Sequence, residues 1–331
     1  FYKKNNISLV LGREVERINR KDKNLILDNK EIVSYSKLVI ATGSKVIKLE
    51  ENSEDSNLNY IRDINHSKKL SSQINSSKEI CIIGSGYIGL EAAAVARKKK
   101  LNVVVIENEN RVMKRVVSKD LSSFIQAKHE SEGVIFILNK SAISTKKIGD
   151  IQKLTLNDSS EIKTEIIAIG IGVKPNIDLA KDSNIQCNNG IMVDENCLSS
   201  DNDIYAIGDC SNHFNHIYNR RIRLESVHNA VEQAKVVTYH ILGDPMPYID
   251  VPWFWSDQYN IKLQIAGISE SFDQQIIKGN KEREKFTIFY FKNEVLIALD
   301  AINSSKDFIL GKKLIGEKSN ISDPKMIALL N

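Results

Sequence analysis

Residues 80–108 read ICIIGSGYIGLEAAAVARKKKLNVVVIEN. An apolar run stops at three glycines spaced G-x-G-x-x-G, an alanine-rich stretch follows, and a second apolar run ends in Glu107. Short continuous apolar runs of this kind are strands buried on both faces, the habit of parallel sheets. Parallel strands need a crossover, and the alanine-rich stretch has the composition of its helix. Gly84 permits a tight turn after the strand, Gly86 lets backbone approach a pyrophosphate, and Gly89 allows the helix to pack closely on the strand. The helix start offers N–H groups and positive potential to phosphates. The stretch is therefore a dinucleotide-binding βαβ unit, set well inside the chain.

Glu107 bears on which nucleotide is held. A carboxylate at the end of the second strand accepts hydrogen bonds from a ribose 2′-OH and repels a 2′-phosphate. Asn108, Glu109 and Asn110 follow it, with Arg111 the nearest cation that could swing back. NADH is expected over NADPH.

Composition excludes several other classes. The 46 basic and 42 acidic residues leave a net charge of +4 spread along 331 residues, with no block that demands nucleic acid. The run Arg97–Lys100 closes the predicted helix, where cations complement the negative end of the macrodipole. No stretch reaches the roughly 18 apolar residues of a membrane span, and no signal peptide is visible. Cys81, Cys187, Cys197 and Cys210 form no CxxC pair and read as free thiols of a reducing compartment, so a cytoplasmic location is expected. His213 and His216 make an HxxH pair, but their polar loop offers no further obvious ligand, and no metal is expected.

Along the rest of the chain, residues 7–33 read as short alternating strands with a turn at Asp28–Asn29, and SKLVIATGS (36–44) as a buried strand ending at glycine. Residues 50–59 are polar and read as a linker, and 66–74 as a short helix. Residues 118–133 have helical periodicity with a closing glycine. Strands are expected at VIFILN, around 141–147, at IQKLTLN, at EIIAIGIGVKPN and at DIYAIGD, then a helix over 226–243. From about Asp244 the texture becomes strand-rich, with a helix near 304–314, as in a separate α+β domain.

ATGS, GSGYIGLE, GIGVKPN and YAIGD occur in an order and at a spacing that resemble the FAD-dependent pyridine nucleotide oxidoreductases over essentially the whole chain. The resemblance implies an α/β, two-dinucleotide-binding Rossmann-like fold with a small α+β C-terminal domain. NAD(H) would be the substrate of the glycine loop and FAD the resident cofactor. Ala41, Thr42 and Gly43 would line the FAD site, and Asp209, after Gly208, would accept from the ribityl chain. Glu91 would lie near the nicotinamide, and Gly172 would border its pocket. Domain boundaries are expected at 1–60 with 176–246 for FAD, 61–175 for NAD and 247–331 for the C-terminal part.

PWFWSDQ (252–258) and LESVHNAVEQA (224–234) are similar to the ferredoxin and rubredoxin reductase branch, which includes reductase components of oxygenase systems. That resemblance implies a helix start at Val227–His228 aimed at the flavin's pyrimidine edge. Trp255 would sit beside the isoalloxazine and the surface where an iron–sulfur partner docks, whereas Trp253 reads better as a core residue. The expected activity is NADH:ferredoxin reduction by a monomer or homodimer, with a small ferredoxin or rubredoxin as partner and no side chain acting as acid or base. Two rivals stand beside it. A dithiol reductase or NADH peroxidase of the same superfamily needs a redox cysteine, and the dimeric dithiol type needs a C-terminal histidine, yet no histidine follows His240. A non-enzymatic flavoprotein of the apoptosis-inducing-factor kind would show a basic targeting segment. The chain opens at Phe1 and its first methionine is Met113. An N-terminal truncation that removed the family's first βαβ unit is therefore expected, with better binding of NAD-type nucleotides than of FAD.

Overall fold

The computed structural model describes residues 1–49 and 58–331. Of the expected linker, residues 50–57 lie outside the described residues, while Asn59–Tyr60 forms a strand. The chain forms two compact units, one of Phe1–Ser44 with Pro175–Asp250 and one of Lys45–Lys174 with Val251–Asn331.

In the second unit the GSGYIG stretch folds as its pattern dictates. Glu79–Ile83 and Asn102–Ile106 are parallel neighbours, joined by the helix Tyr87–Lys98. They lie in a five-stranded sheet ordered Asn59–Tyr60, Ile166–Ile169, Glu79–Ile83, Asn102–Ile106, Val134–Ile137, parallel throughout. Ile80, Cys81, Ile82 and Ile83 are all buried, the mark of a strand covered on both faces. The helix buries Leu90 and four alanines and ends with Arg97 and Lys98 in its last turn. Arg97 ties that end down by donating to the carbonyls of Leu101 and Glu132.

A second five-stranded sheet, antiparallel, is ordered Trp253–Gln258, Ile261–Gly267, Val295–Ile302, Lys285–Lys292, Gln274–Asn280. The helix Ser305–Gly316 covers one face; a Cβ at Gly311 there would run into Leu299 Cδ2 and force that side chain to move. From the other side Leu263, Phe286, Ile288 and Tyr290 share one core with Leu90 of the glycine-loop helix and with Leu121 and Ile125 of the helix Lys119–Ser131. The C-terminal sheet thus completes the burial of helices that the parallel sheet covers on one side only.

The first unit is built from smaller pieces. Leu38–Ile40 pairs in parallel with Ile204–Ala206. Val15–Asn19, Asn24–Leu27 and Ile32–Ser34 form an antiparallel meander, with the second turn at Asp28–Asn29 as the sequence suggests. Ile191–Val193, Ser211–Asn215 and Arg220–Ile222 form a third sheet, and the helix Val227–Ile241 packs Val236 and Val237 into a core around Tyr205. One expectation fails here. The strand read from residue 7 begins only at Val15, and Ile7, Leu9, Val10 and Leu11 are exposed. A period-2 pattern becomes strand only where a neighbour takes its N–H and C=O groups, and residues 7–13 pair with no strand among the described residues.

Candidate functional site

In the second unit the three glycines are held by three different circumstances. Gly84 has φ +98°, and a Cβ there would meet the Gly170 carbonyl oxygen at 2.5 Å. At Gly89 a Cβ would run into the Gly84 carbonyl, so the helix could not approach the turn. Gly86 differs from both. Its φ is −74° and a Cβ would meet nothing within 4 Å, so neither backbone strain nor protein packing demands glycine. What a side chain would occupy is the open space at the helix N-terminus, where backbone N–H groups can receive an anion. Gly170 closes against this turn, its N–H donating to the Ile83 carbonyl at 2.8 Å. Gly172 follows with φ +112°, and its carbonyl accepts from Ile47 N–H at 3.0 Å.

Glu107 is bound to the loop itself. One oxygen accepts from the Ser85 amide at 2.9 Å and hydroxyl at 2.5 Å; the other accepts from Glu109 N–H at 3.0 Å. A carboxylate offers about four acceptor sites, so capacity remains for a ribose hydroxyl. Arg111, the cation that could have answered a 2′-phosphate, donates instead to the carbonyls of Lys114, Val117 and Ser118. Lys114 is paired with Glu109 at 2.6 Å. The surroundings of Glu107 thus offer acceptors and committed cations.

Glu91 lies in the second turn of the same helix, half-buried, with Ser256 Oγ donating to it at 2.5 Å. Burial raises its carboxyl above the ordinary range, opposed by the Ser256 hydroxyl and the Asp257 amide. Ser256 belongs to the strand Trp253–Gln258, whose alternation buries Ser256 and Gln258 and turns Trp255 and Asp257 outward. Trp255 is 37% exposed. Trp253 packs its ring on Phe308 at 5.7 Å beneath Lys312, the more structural of the two indoles. Phe254 stacks on Tyr87, the first residue of the glycine-loop helix, at 4.6 Å.

In the first unit the ATG turn clasps the segment after GIGV. Thr42 Oγ1 donates to the Asn176 carbonyl at 2.7 Å, Asn176 returns a bond to the Thr42 carbonyl at 2.8 Å, and its N–H reaches Gly43 at 2.9 Å. Ala41 and Thr42 are exposed at the end of Leu38–Ile40, and Ala206 ends the adjacent strand. From there Gly208–Cys210 makes one helical turn that presents Asp209, which accepts from Ser44 Oγ at 2.7 Å. Buried Gln233 anchors the turn, its Oε1 accepting from Gly208 N–H, Ser211 Oγ and Asn229 Nδ2. Ser226 caps the helix that Val227 and His228 open, accepting from Asn229 N–H at 3.1 Å. Val227 is exposed, and the His228 ring reaches the Asp250 carboxylate at 2.8 Å. His213 faces inward against Gln233 and Tyr248, whereas His216 meets the Phe214 ring edge to face.

The site residues read from sequence thus fall in two sets, one per unit. Ser85, Ser256, Gln258, His129, Ser44 and Gln233 were missed. Only the alternation of WFWSDQ carried a usable signal, since it puts Ser256 and Gln258 on the face of Phe254. The four cysteines are free; Cys81, Cys197 and Cys210 are buried, Cys187 partly so. Burial pushes the thiols of Cys81 and Cys197 up to about 12. Among the described residues no helix is long and apolar enough to cross a membrane.

Comparison with known proteins matches residues 2–234 to the family described as pyridine nucleotide-disulphide oxidoreductase and residues 253–328 to the reductase C-terminal family. A ferredoxin–NAD(P)(+) reductase of Sphingomonas sp is 35% identical, covering 97% of this chain and 78% of its own. Putidaredoxin reductase of Pseudomonas putida is 33% identical over 96% of this chain and 77% of its own. The crystal structure of a ferredoxin reductase from Rhodopseudomonas palustris superposes with a TM-score of 0.94 at 33% identity, covering 98% of this chain and 82% of that one. By its glycine loop, its motif order and its C-terminal sheet, the chain belongs to the pyridine nucleotide-disulphide oxidoreductase family, in the group that carries the reductase C-terminal domain.

Proposed function

We propose that this protein is an NADH:ferredoxin reductase, taking hydride from NADH onto bound FAD and passing electrons singly to a small iron–sulfur ferredoxin or rubredoxin. The observation that carries the choice within the family is the state of the thiols. Thiol–disulfide chemistry needs an accessible, activated thiolate; here three of the four cysteines are buried, and burial raises the fourth, Cys187, as well. The thiols of these residues thus supply no dithiol centre, and the reductase C-terminal domain at residues 253–328 favours electron transfer from the flavin itself over the dithiol reductase and peroxidase readings. Relatives at 33–36% identity are named as ferredoxin, putidaredoxin and rubredoxin reductases.

Each residue then has a task. Gly84, Gly86 and Gly89 with the helix start hold the pyrophosphate of NADH, Glu107 takes the adenosine ribose, and Glu91 and Gly172 border the nicotinamide. Ala41, Thr42 and Gly43 line the flavin, Gly208 and Asp209 hold the ribityl chain, and the helix opening at Val227–His228 turns its positive end to the pyrimidine edge. The donor set fits: a carboxylate for hydroxyls, a helix N-terminus for developing negative charge. The chemistry supplied by bound FAD is the change from a two-electron donor to one-electron acceptors. Residues 61–175 serve NAD, 1–60 with 176–246 serve FAD, and 247–331 the acceptor side, in a cytoplasmic monomer or homodimer.

Rapid mixing of the FAD-loaded protein with NADH, then with oxidised ferredoxin or rubredoxin, tests the assignment. Reduction by NADH followed by reoxidation by the iron–sulfur protein is expected. Trp255→Ala should slow the second step about tenfold or more, as loss of an interfacial aromatic anchor does, and leave the first within about twofold. Turnover with a disulfide but with neither iron–sulfur protein would overturn the proposal.

A further inference from the structure

A chain of hydrogen bonds runs through the second unit to Glu91, joining side chains of three separate segments. Tyr259 Oη lies 3.3 Å from His129 Nδ1, and His129 Nε2 lies 2.8 Å from Gln258 Oε1. Gln258 Nε2 donates to Ser256 Oγ at 3.1 Å, and Ser256 Oγ donates to Glu91 Oε1 at 2.5 Å. His129 and Ser256 are fully buried and Gln258 nearly so. Three elements contribute: the helix Lys119–Ser131, the strand Trp253–Gln258 with its turn at Tyr259, and the glycine-loop helix.

The direction of every bond follows from the charge at one end. An ionised Glu91 has no proton, so Ser256 must donate to it and must accept from Gln258. The Gln258 amide is thereby turned with its NH2 toward Ser256 and its oxygen toward His129. His129 must then carry its proton on Nε2, and bare Nδ1 accepts from Tyr259. Burial lowers the His129 pKa and so favours the neutral ring this requires. A buried polar chain in which every member is satisfied has one arrangement, and it rigidifies what it ends on.

We infer that Ser256, Gln258 and His129 are positioning residues, which lock one Glu91 oxygen so that the other is presented to the nicotinamide carboxamide. The inference rests on the placement of Glu91 at the nicotinamide proposed above. Without the lock the half-buried carboxylate would sample several rotamers, and the ordering would be lost from nucleotide affinity.

Calorimetric binding of NAD+ and of ADP-ribose, which lacks the nicotinamide, separates this role from packing. Glu91→Ala, Ser256→Ala and His129→Leu should each weaken NAD+ about five- to tenfold, the worth of roughly one ordinary hydrogen bond, and leave ADP-ribose unchanged. His129→Gln, whose amide can replace the Nε2–H donor, should stay within about twofold of the parent. Loss of both ligands alike in Ser256→Ala, or an unchanged ratio there and in His129→Leu while Glu91→Ala lowers it, would overturn the positioning role. An unchanged ratio in Glu91→Ala itself would remove Glu91 from the nicotinamide and bring the inference down with that placement. Ser256→Ala, a small truncation, keeps the test decisive should His129→Leu fail to fold.

Discussion

The two units hold their candidate ligand groups by opposite means. In the second unit the glycine loop is positioned by backbone against backbone, with no room for a Cβ at Gly84 or Gly89 and little at Gly170. In the first unit the proposed flavin-side groups are positioned by side-chain hydrogen bonds: Thr42 with Asn176, Ser44 with Asp209, and Gln233 with Gly208. Backbone packing tolerates no added atom but involves no buried polar debt. A side-chain hub tolerates changes of shape poorly for a different reason, because losing it removes several hydrogen bonds at once.

The largest effect should come from the packed loop. Gly89→Val drives a branched side chain into the Gly84 carbonyl and should cost about 3 kcal/mol or more and abolish NAD+ binding. Chemical denaturation and calorimetry would check it; a variant with parental stability and affinity would show that the loop can yield. The matching change in the first unit is Gln233→Leu, which leaves Gly208 N–H, Ser211 Oγ and Asn229 Nδ2 without their shared acceptor. Ser211 Oγ and Asn229 Nδ2 keep the carbonyls of Gly208 and Leu224, so Gly208 N–H is the donor left stranded, and a cost of roughly 1–3 kcal/mol is expected, with weakened FAD retention and unchanged ADP-ribose affinity. Equal loss of both ligands would erase the contrast between the units.

The units should also answer pH with opposite sign. In the first, burial lowers the His213 pKa to about 4 from 6.5, so the unfolded chain binds the proton first on acidification. Stability from this group is complete above pH 6.5 and is lost as pH falls toward 4, on the order of 3 kcal/mol. In the second, burial raises Asp300 to about 7 from 3.8, despite the hydrogen bond from Tyr290. Its contribution is complete below pH 3.8 and is lost as pH rises through about 7, by a similar order. Hydrogen exchange resolved by unit, with His213→Asn and Asp300→Asn as controls that flatten one slope each, would measure both. Parallel slopes would refute the contrast.

The smallest expected change concerns specificity. Glu107→Arg removes an acceptor for the ribose 2′-OH and supplies a partner for a 2′-phosphate, worth about 1–3 kcal/mol or roughly ten- to a hundredfold in the NADH to NADPH ratio of kcat/KM. Because Ser85 also loses its acceptor, part of the effect should appear as weaker binding of both nucleotides. An unchanged ratio would place the ribose elsewhere.

Much of the molecule was legible in the chain because it is written in neighbouring residues. The glycine spacing, the apolar runs beside it and Glu107 lie within 28 residues, and each acts through local geometry: turn, helix start, strand end. The ordered motifs carried the family in the same way. Residues 7–11 show the limit of such signals, since their apolar side chains do not say whether a neighbouring strand will be there to pair with them. Tertiary structure alone decided the rest. That Gln233 anchors a turn 25 residues before it, and that His129 reaches Gln258 across 129 residues, depends on how a helix meets a turn or a strand distant in sequence. Such meetings are set by packing registers, and a one-residue shift of the strand Trp253–Gln258 would turn Ser256 and Gln258 to the opposite face and leave Glu91 without its donor.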